Sequence, residues 1–124
     1  MFDDPDFLKF VREAVRSVWG VELLLLLRRS EPRAWAPQEL VKEMRASQAV
    51  VDEALARLEA AGLVTRTDGA ASFAPASAAL ADLTEKLEMS YREKPVRLIN
   101  AIVSSEEDKL RMLADAFRLK DRRP

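Results

Sequence analysis

Residues 37–75 run PQELVKEMRASQAVVDEALARLEAAGLVTRTDGAASFAP, and the way this stretch is punctuated decides how the chain folds. Pro37 sits where a helix loses nothing by lacking an amide hydrogen, so it opens one that should run to about Met44. Leu40, Val41 and Met44 form the inner face of that helix, with Glu39, Lys42 and Glu43 outside. After a tight connection, Ser47 is placed to cap a second helix, in which Val51, Leu55 and Leu58 recur at spacings of four and three. Gly62 ends it, as a glycine just beyond the last turn does. Leu63-Val64-Thr65-Arg66-Thr67 and Ala71-Ser72-Phe73-Ala74 then flank Asp68-Gly69, a pair that favours a type I′ turn because both central residues need positive φ. The expectation is helix, tight turn, helix, small β-hairpin.

Working outward toward the N-terminus, Asp4-Pro5 starts a helix carrying Phe7, Val11, Ala14, Val15 and Val18 on one side. Gly20 is expected to kink it, or to separate it from a second helix running from Val21 to about Arg29. The unbroken Leu23 to Leu27 run of that second helix predicts contact on several sides, at the centre of the core. Ser30-Glu31-Pro32-Arg33 reads as a turn and Ala34-Trp35-Ala36 as a short extended piece. Both Trp19 and Trp35 are expected in the core, and Met44, Met89 and Met112 as packing residues. Toward the C-terminus, Leu80, Leu83, Leu87 and Tyr91 mark a longer helix stopped by Lys94-Pro95. Val96, Ile99 and Val103, with Leu98 and Ile102 close by, form another short apolar helix. Ser105 followed by Glu106, Glu107 and Asp108 starts a last one with a stripe of Leu110, Leu113 and Phe117. Arg118, Lys120, Arg122 and Arg123 crowd its end, where the helix dipole favours cations. The expected fold class is mostly α with a small β-hairpin.

The chain has 124 residues, 48% apolar and 33% charged, which suits one soluble domain with a single core. It contains neither cysteine nor histidine, so thiolate chemistry, disulfides and the commonest general base and metal ligand are excluded by inventory. No glycine-rich phosphate loop occurs, and Glu106, Glu107, Asp108 and Asp115 lack the spacing of a calcium loop. An enzyme, a cofactor and a metal site are therefore not expected. Met1-Phe2-Asp3-Asp4 lacks the basic start and cleavage site of a secretory signal. The most apolar stretch, Val18 to Leu27, is about ten residues against the roughly 20 a spanning helix needs, so no membrane contact is expected and a cytoplasmic location is. Charge is unevenly spread: residues 38–75 carry a net −2 and residues 91–124 a net +3.

The residues Glu39-Leu40-Val41, Met44, Ser47, Val51, Leu55, Leu58-Glu59-Ala60-Ala61-Gly62-Leu63-Val64 and Arg66 resemble the winged helix-turn-helix of MarR-like and related bacterial transcription regulators. In those families the pattern is roughly E-L-A, then L, S, V, L, and L-E-x-x-G-L-V-x-R. The resemblance spans about residues 36–75. It implies a winged helix-turn-helix with flanking helices: a winged-helix domain over residues 1–92, holding the N-terminal and post-wing helices, and a C-terminal helical extension over 93–124. It also implies transcriptional control through double-stranded DNA. The helix from Ser47 to Ala60 would read the duplex, and the hairpin would be the wing. Ser47 and Gln48 would make base or phosphate contacts, with Arg45 and Arg57 nearby and Arg66 in the wing. The flanking helices carry apolar stripes in excess of what the minimal motif buries, which points to a homodimer.

At one place the chain departs from this pattern. Asp52-Glu53 stands where such regulators often carry Ser and Arg, and two carboxylates facing a phosphate backbone repel it. The alternative is a winged-helix protein-protein interaction module, an adaptor whose partner docks on Asp52 and Glu53.

Overall fold

The structure, a computed structural model, describes residues 2–103, so the expectations for Ser105 onward, including Met112 and the terminal arginines, lie outside the described residues. The chain is mostly helical, with one two-stranded antiparallel hairpin. Helix α1 (Pro5–Lys9) has Pro5 in its first turn, and the Asp4 side chain accepts the Asp6 N–H at 2.9 Å. It runs directly into a π-helical segment, Phe10–Val15, where bonding widens by one residue: the Arg16 N–H donates to the Val11 carbonyl at 2.9 Å. Phe7, Phe10, Val11 and Val15 are buried along this continuous rod.

The break comes earlier than Gly20, which corrects the sequence expectation. Arg16 takes a left-handed φ of 67° and ends the rod, and Ser17 caps α2 (Val18–Arg29) by accepting the Gly20 N–H at 3.0 Å. Gly20 lies in the first turn of α2, where its role is close approach. A Cβ there would stand 2.3 Å from the Val15 carbonyl oxygen, inside any van der Waals contact. Only glycine lets α2 start this tightly against the end of the preceding rod.

Leu23, Leu24, Leu25 and Leu27 are all fully buried, because α2 touches the π segment, α3, α4, α5 and β2. That many-sided burial is what its leucine run predicts. Helix α3 (Pro37–Met44) buries Leu40, and Arg45 ends it in the left-handed region at φ 56°. Two residues later Ser47 caps α4 (Gln48–Ala60), accepting the Val50 N–H at 3.2 Å. Val51, Ala54, Leu55 and Leu58 form its inner face against α2 and α3.

Gly62, at φ 79°, turns the chain into β1 (Val64–Thr67), which pairs with β2 (Ala70–Phe73) from Val64↔Phe73 to Thr67↔Ala70. Asp68 and Gly69 make the turn with φ of 52° and 84°, the two positive angles a type I′ turn requires. Trp35 adds an isolated antiparallel bridge: its N–H and carbonyl exchange bonds with Ala71, both at 2.8 Å, so the extended piece before α3 is stitched to the hairpin. The Trp35 ring is buried, its Nε1 donates to Ser30 Oγ at 2.8 Å, and the Arg33 guanidinium lies 3.5 Å from the ring centroid.

Helix α5 (Ala78–Glu93), capped by Ser77, returns across α2 and ends at Lys94 ahead of Pro95. Residues 95–103 are again helical, and Leu98 and Ile102 enter the same core as the rest. Three apolar positions depart from expectation. Trp19 is 40% exposed, Met89 36% and Val96 70%. Val96 follows Pro95 in the first turn of its helix, and the buried face there runs through Leu98 and Ile102, one side away.

Candidate functional site

The surface built by α3, the turn at Arg45–Ala46, α4 and the hairpin gathers all the residues singled out in the sequence. Arg45, Ser47 and Gln48 are exposed at the N-terminal end of α4, Asp52 and Glu53 on its outer face, Arg57 half-buried near its end and Arg66 half-buried on β1. The reason is periodic: Val51, Ala54, Leu55 and Leu58 take the inner face, which leaves Gln48, Asp52, Glu53, Ala56 and Glu59 to the solvent.

Three of the five candidate contact residues are already engaged by carboxylates of α4. Gln48 Nε2 donates to Asp52 Oδ1 at 2.8 Å. Arg57 Nη2 donates to Glu53 Oε1 at 3.1 Å, with 72% of the Glu53 side chain exposed. Arg66 Nε lies 3.8 Å from Glu59 Oε1, a distance of ion pairing and not of hydrogen bonding, and that Nε is buried with no hydrogen-bond partner. The first two pairings are legible in the four-residue spacing on one helix face. The third depends on the hairpin folding back on α4, and no local signal announces it.

Arg45 and Lys42 differ: among the described residues, no ion pair joins either of them. They border a shallow surface with Arg33, Trp35, Glu39 and Glu43. There Glu39 is the organised group. Its carboxylate accepts the Ala36 N–H at 2.8 Å and pairs with Arg33 at 3.2 Å, and these hold its pKa below the ordinary value, the backbone bond foremost.

A second polar cluster ties α5 to α2. Glu88 receives Arg28 at 2.5 Å and Arg29 at 3.0 Å; burial pushes its carboxyl up, but the two guanidinium groups outweigh that and hold it below the usual range. Tyr91 Oη donates to Glu22 Oε1, and that bond, together with burial, raises the phenol's pKa. Glu22 and Arg29 of this cluster also line a groove of about 460 Å³ between α2 and the end of α3. Among the described residues there is no group of three or more acidic, histidine or cysteine side chains placed to hold a metal, and no helix long and apolar enough to cross a membrane.

No protein-family model matches the chain, and no curated protein or solved structure is significantly similar to it.

Proposed function

We propose that the chain is a winged helix-turn-helix module of transcriptional control that works by docking a protein partner on the outer face of α4. Two features support the winged-helix reading: a short left-handed turn between α3 and α4, and a hairpin stitched back to the extended piece before α3. The charge of α4 favours one of its uses over the other. Asp52, Glu53 and Glu59 dominate the outer face, and Arg57 and Arg66 are paired with two of them, so approach of a phosphate backbone to this face would release few counterions and meet repulsion. The same face suits a basic protein surface, with Ala56 and Ala60 leaving flat ground between the carboxylates. The engagement of Gln48, Arg57 and Arg66 by acidic neighbours is the observation that carries this reading.

A photo-crosslinking residue in place of Ala56 tests it in cells that make the chain. A discrete protein adduct, absent when the probe replaces Glu85 on α5 and lost on Asp52→Lys with Glu53→Lys, is the expected result. Adducts to DNA, or none, would contradict it.

A second reading, a DNA-binding regulator, rests on one observation: among the described residues Arg45 and Lys42 are in no ion pair, and they stand beside exposed Ser47 and Gln48 at the N-terminal end of α4, the end from which a reading helix contacts bases. It predicts that Arg45→Ala abolishes a salt-sensitive affinity for duplex DNA.

A further inference from the structure

Trp19, 40% exposed, lines the groove between α2 and the end of α3 together with half-buried Leu26 and Met44. Helix α5 reaches the polar lining of this groove and not its apolar part: Tyr91 bonds Glu22 and Glu88 holds Arg29, while among the described residues none of α5 lines the groove itself. Apolar side chains gathered in one groove, unlike ones scattered singly, mark a surface that packs against something. We infer that residues 106–120 of the same chain cover it, lying as a helix along α2. Packed there, they brace α2 against the end of α3, the helix that leads into the left-handed turn at Arg45.

Position argues for this segment first. The bonds of Tyr91 and Glu88 fix the last turns of α5 beside the groove, and that helix ends at Lys94, one turn beyond Tyr91. Residues 95–103 carry the chain onward by about 13 Å of helix, so a reversal at Ser104-Ser105 would lay residues 106–120, about 22 Å as a helix, back past the end of α5. A tether this short holds the segment at an effective concentration on the order of millimolar, which a separate partner would have to exceed.

The pattern of the segment argues second. Leu110, Leu113 and Phe117 share one helical face, and Leu110 and Phe117 are seven residues apart, as Trp19 and Leu26 are on α2. The two stripes therefore match over about 10 Å, two turns, which is the spacing at which helices interlock. On a helix this stripe is flanked by Arg111 and Arg118 on one side, after Glu107 at its start, and by Lys109 and Lys120 on the other, with Asp108 and Asp115 turned to the far side. The groove offers such flanks a carboxylate: Glu43 lines it, is exposed and, among the described residues, is in no ion pair.

The chain has no cysteine, so a single Asp115→Cys, on the far side of the segment, takes a nitroxide without touching the packed face. In the isotope-labelled full chain, diluted with unlabelled chain so that copies do not report on one another, amide broadening centred on residues 19–26 and 43–44 is expected. Acrylamide quenching gives a second readout: Trp35 is buried, so it reports Trp19. Trp19 should be shielded in the native chain at every concentration and quenched several-fold more in Leu113→Ser with Phe117→Ser. The nitroxide measurement keeps the native apolar face and so stands even if that double variant unfolds. Broadening centred elsewhere would overturn the inference. So would a Trp19 as accessible in the native chain as in the variant, or shielding that vanishes on dilution, as docking of a second copy would give.

Discussion

Arg57 donates to Glu53 one turn before it on α4, at 3.1 Å, so the one basic side chain of that helix is held along the helix. An exposed pair of this kind contributes little to stability, about 0.3–0.5 kcal/mol, and its importance is to the charge the surface shows. Breaking it does not make the face basic, because Asp52 and Glu59 remain.

Reversing that charge should therefore change binding without changing the fold. Asp52→Lys with Glu53→Lys is expected to confer salt-sensitive affinity for duplex DNA of arbitrary sequence, and to shift stability by about 0.5 kcal/mol or less, as for exposed positions. Anisotropy titration and thermal unfolding of the same sample check both halves.

Gly20→Ala is expected to be severe. The added methyl meets the Val15 carbonyl at 2.3 Å, and since that neighbour is backbone at the end of the π segment it has nowhere to go. A loss of about 3 kcal/mol follows from forced overpacking, enough to lower the melting temperature by about 10 °C or more in a domain of this size. Thermal melts against wild type measure it.

Acid should loosen the seam between α2 and α5. The carboxyl of Glu88 has its pKa depressed in the folded state by Arg28 and Arg29, so its contribution is present above the unfolded value and is lost as pH falls through the folded one. Glu88→Gln should cost about 1–2 kcal/mol near neutrality and flatten the fall in stability below about pH 4.5, the ordinary value for this group. Urea unfolding at several pH values reads both effects.

The opposite limb belongs to Tyr91. Its phenol pKa is raised by donation to Glu22, so the stabilisation is complete below the ordinary value of 10.0 and disappears as pH climbs through the raised one. Tyr91→Phe is expected to cost about 1 kcal/mol at neutral pH and to remove that alkaline dependence, as the same unfolding series extended upward would show.

Local punctuation made most of the fold legible in the sequence. Asp4-Pro5, Ser47, Asp68-Gly69 and Lys94-Pro95 each satisfy a terminal or turn requirement within a few residues, and the elements begin and end there. Gly20 misled because a glycine between two apolar runs looks like a break, while its reason, the Val15 carbonyl, is visible only once the chain has turned at Arg16. Trp19 misled for a related reason: a tryptophan beside a leucine run reads as core, but after a helix start at Val18 the buried side of α2 runs through Val21, Leu24 and Leu25. At the candidate site, the acidic pair Asp52-Glu53 was plain from the residues. Its engagement with Gln48 and Arg57 follows from helix spacing, whereas Glu59 reaching Arg66 required the hairpin to fold back.

Equilibrium titration of the purified native chain against fluorescent duplex DNA, across a series of salt concentrations and several sequences, tests the central claim most directly. The charge of α4 predicts weak binding at low salt, lost at physiological salt and indifferent to sequence. Tight, sequence-dependent binding whose affinity falls steeply with salt, and which Arg45→Ala or Arg57→Ala abolishes, would contradict it and make α4 a reader of DNA.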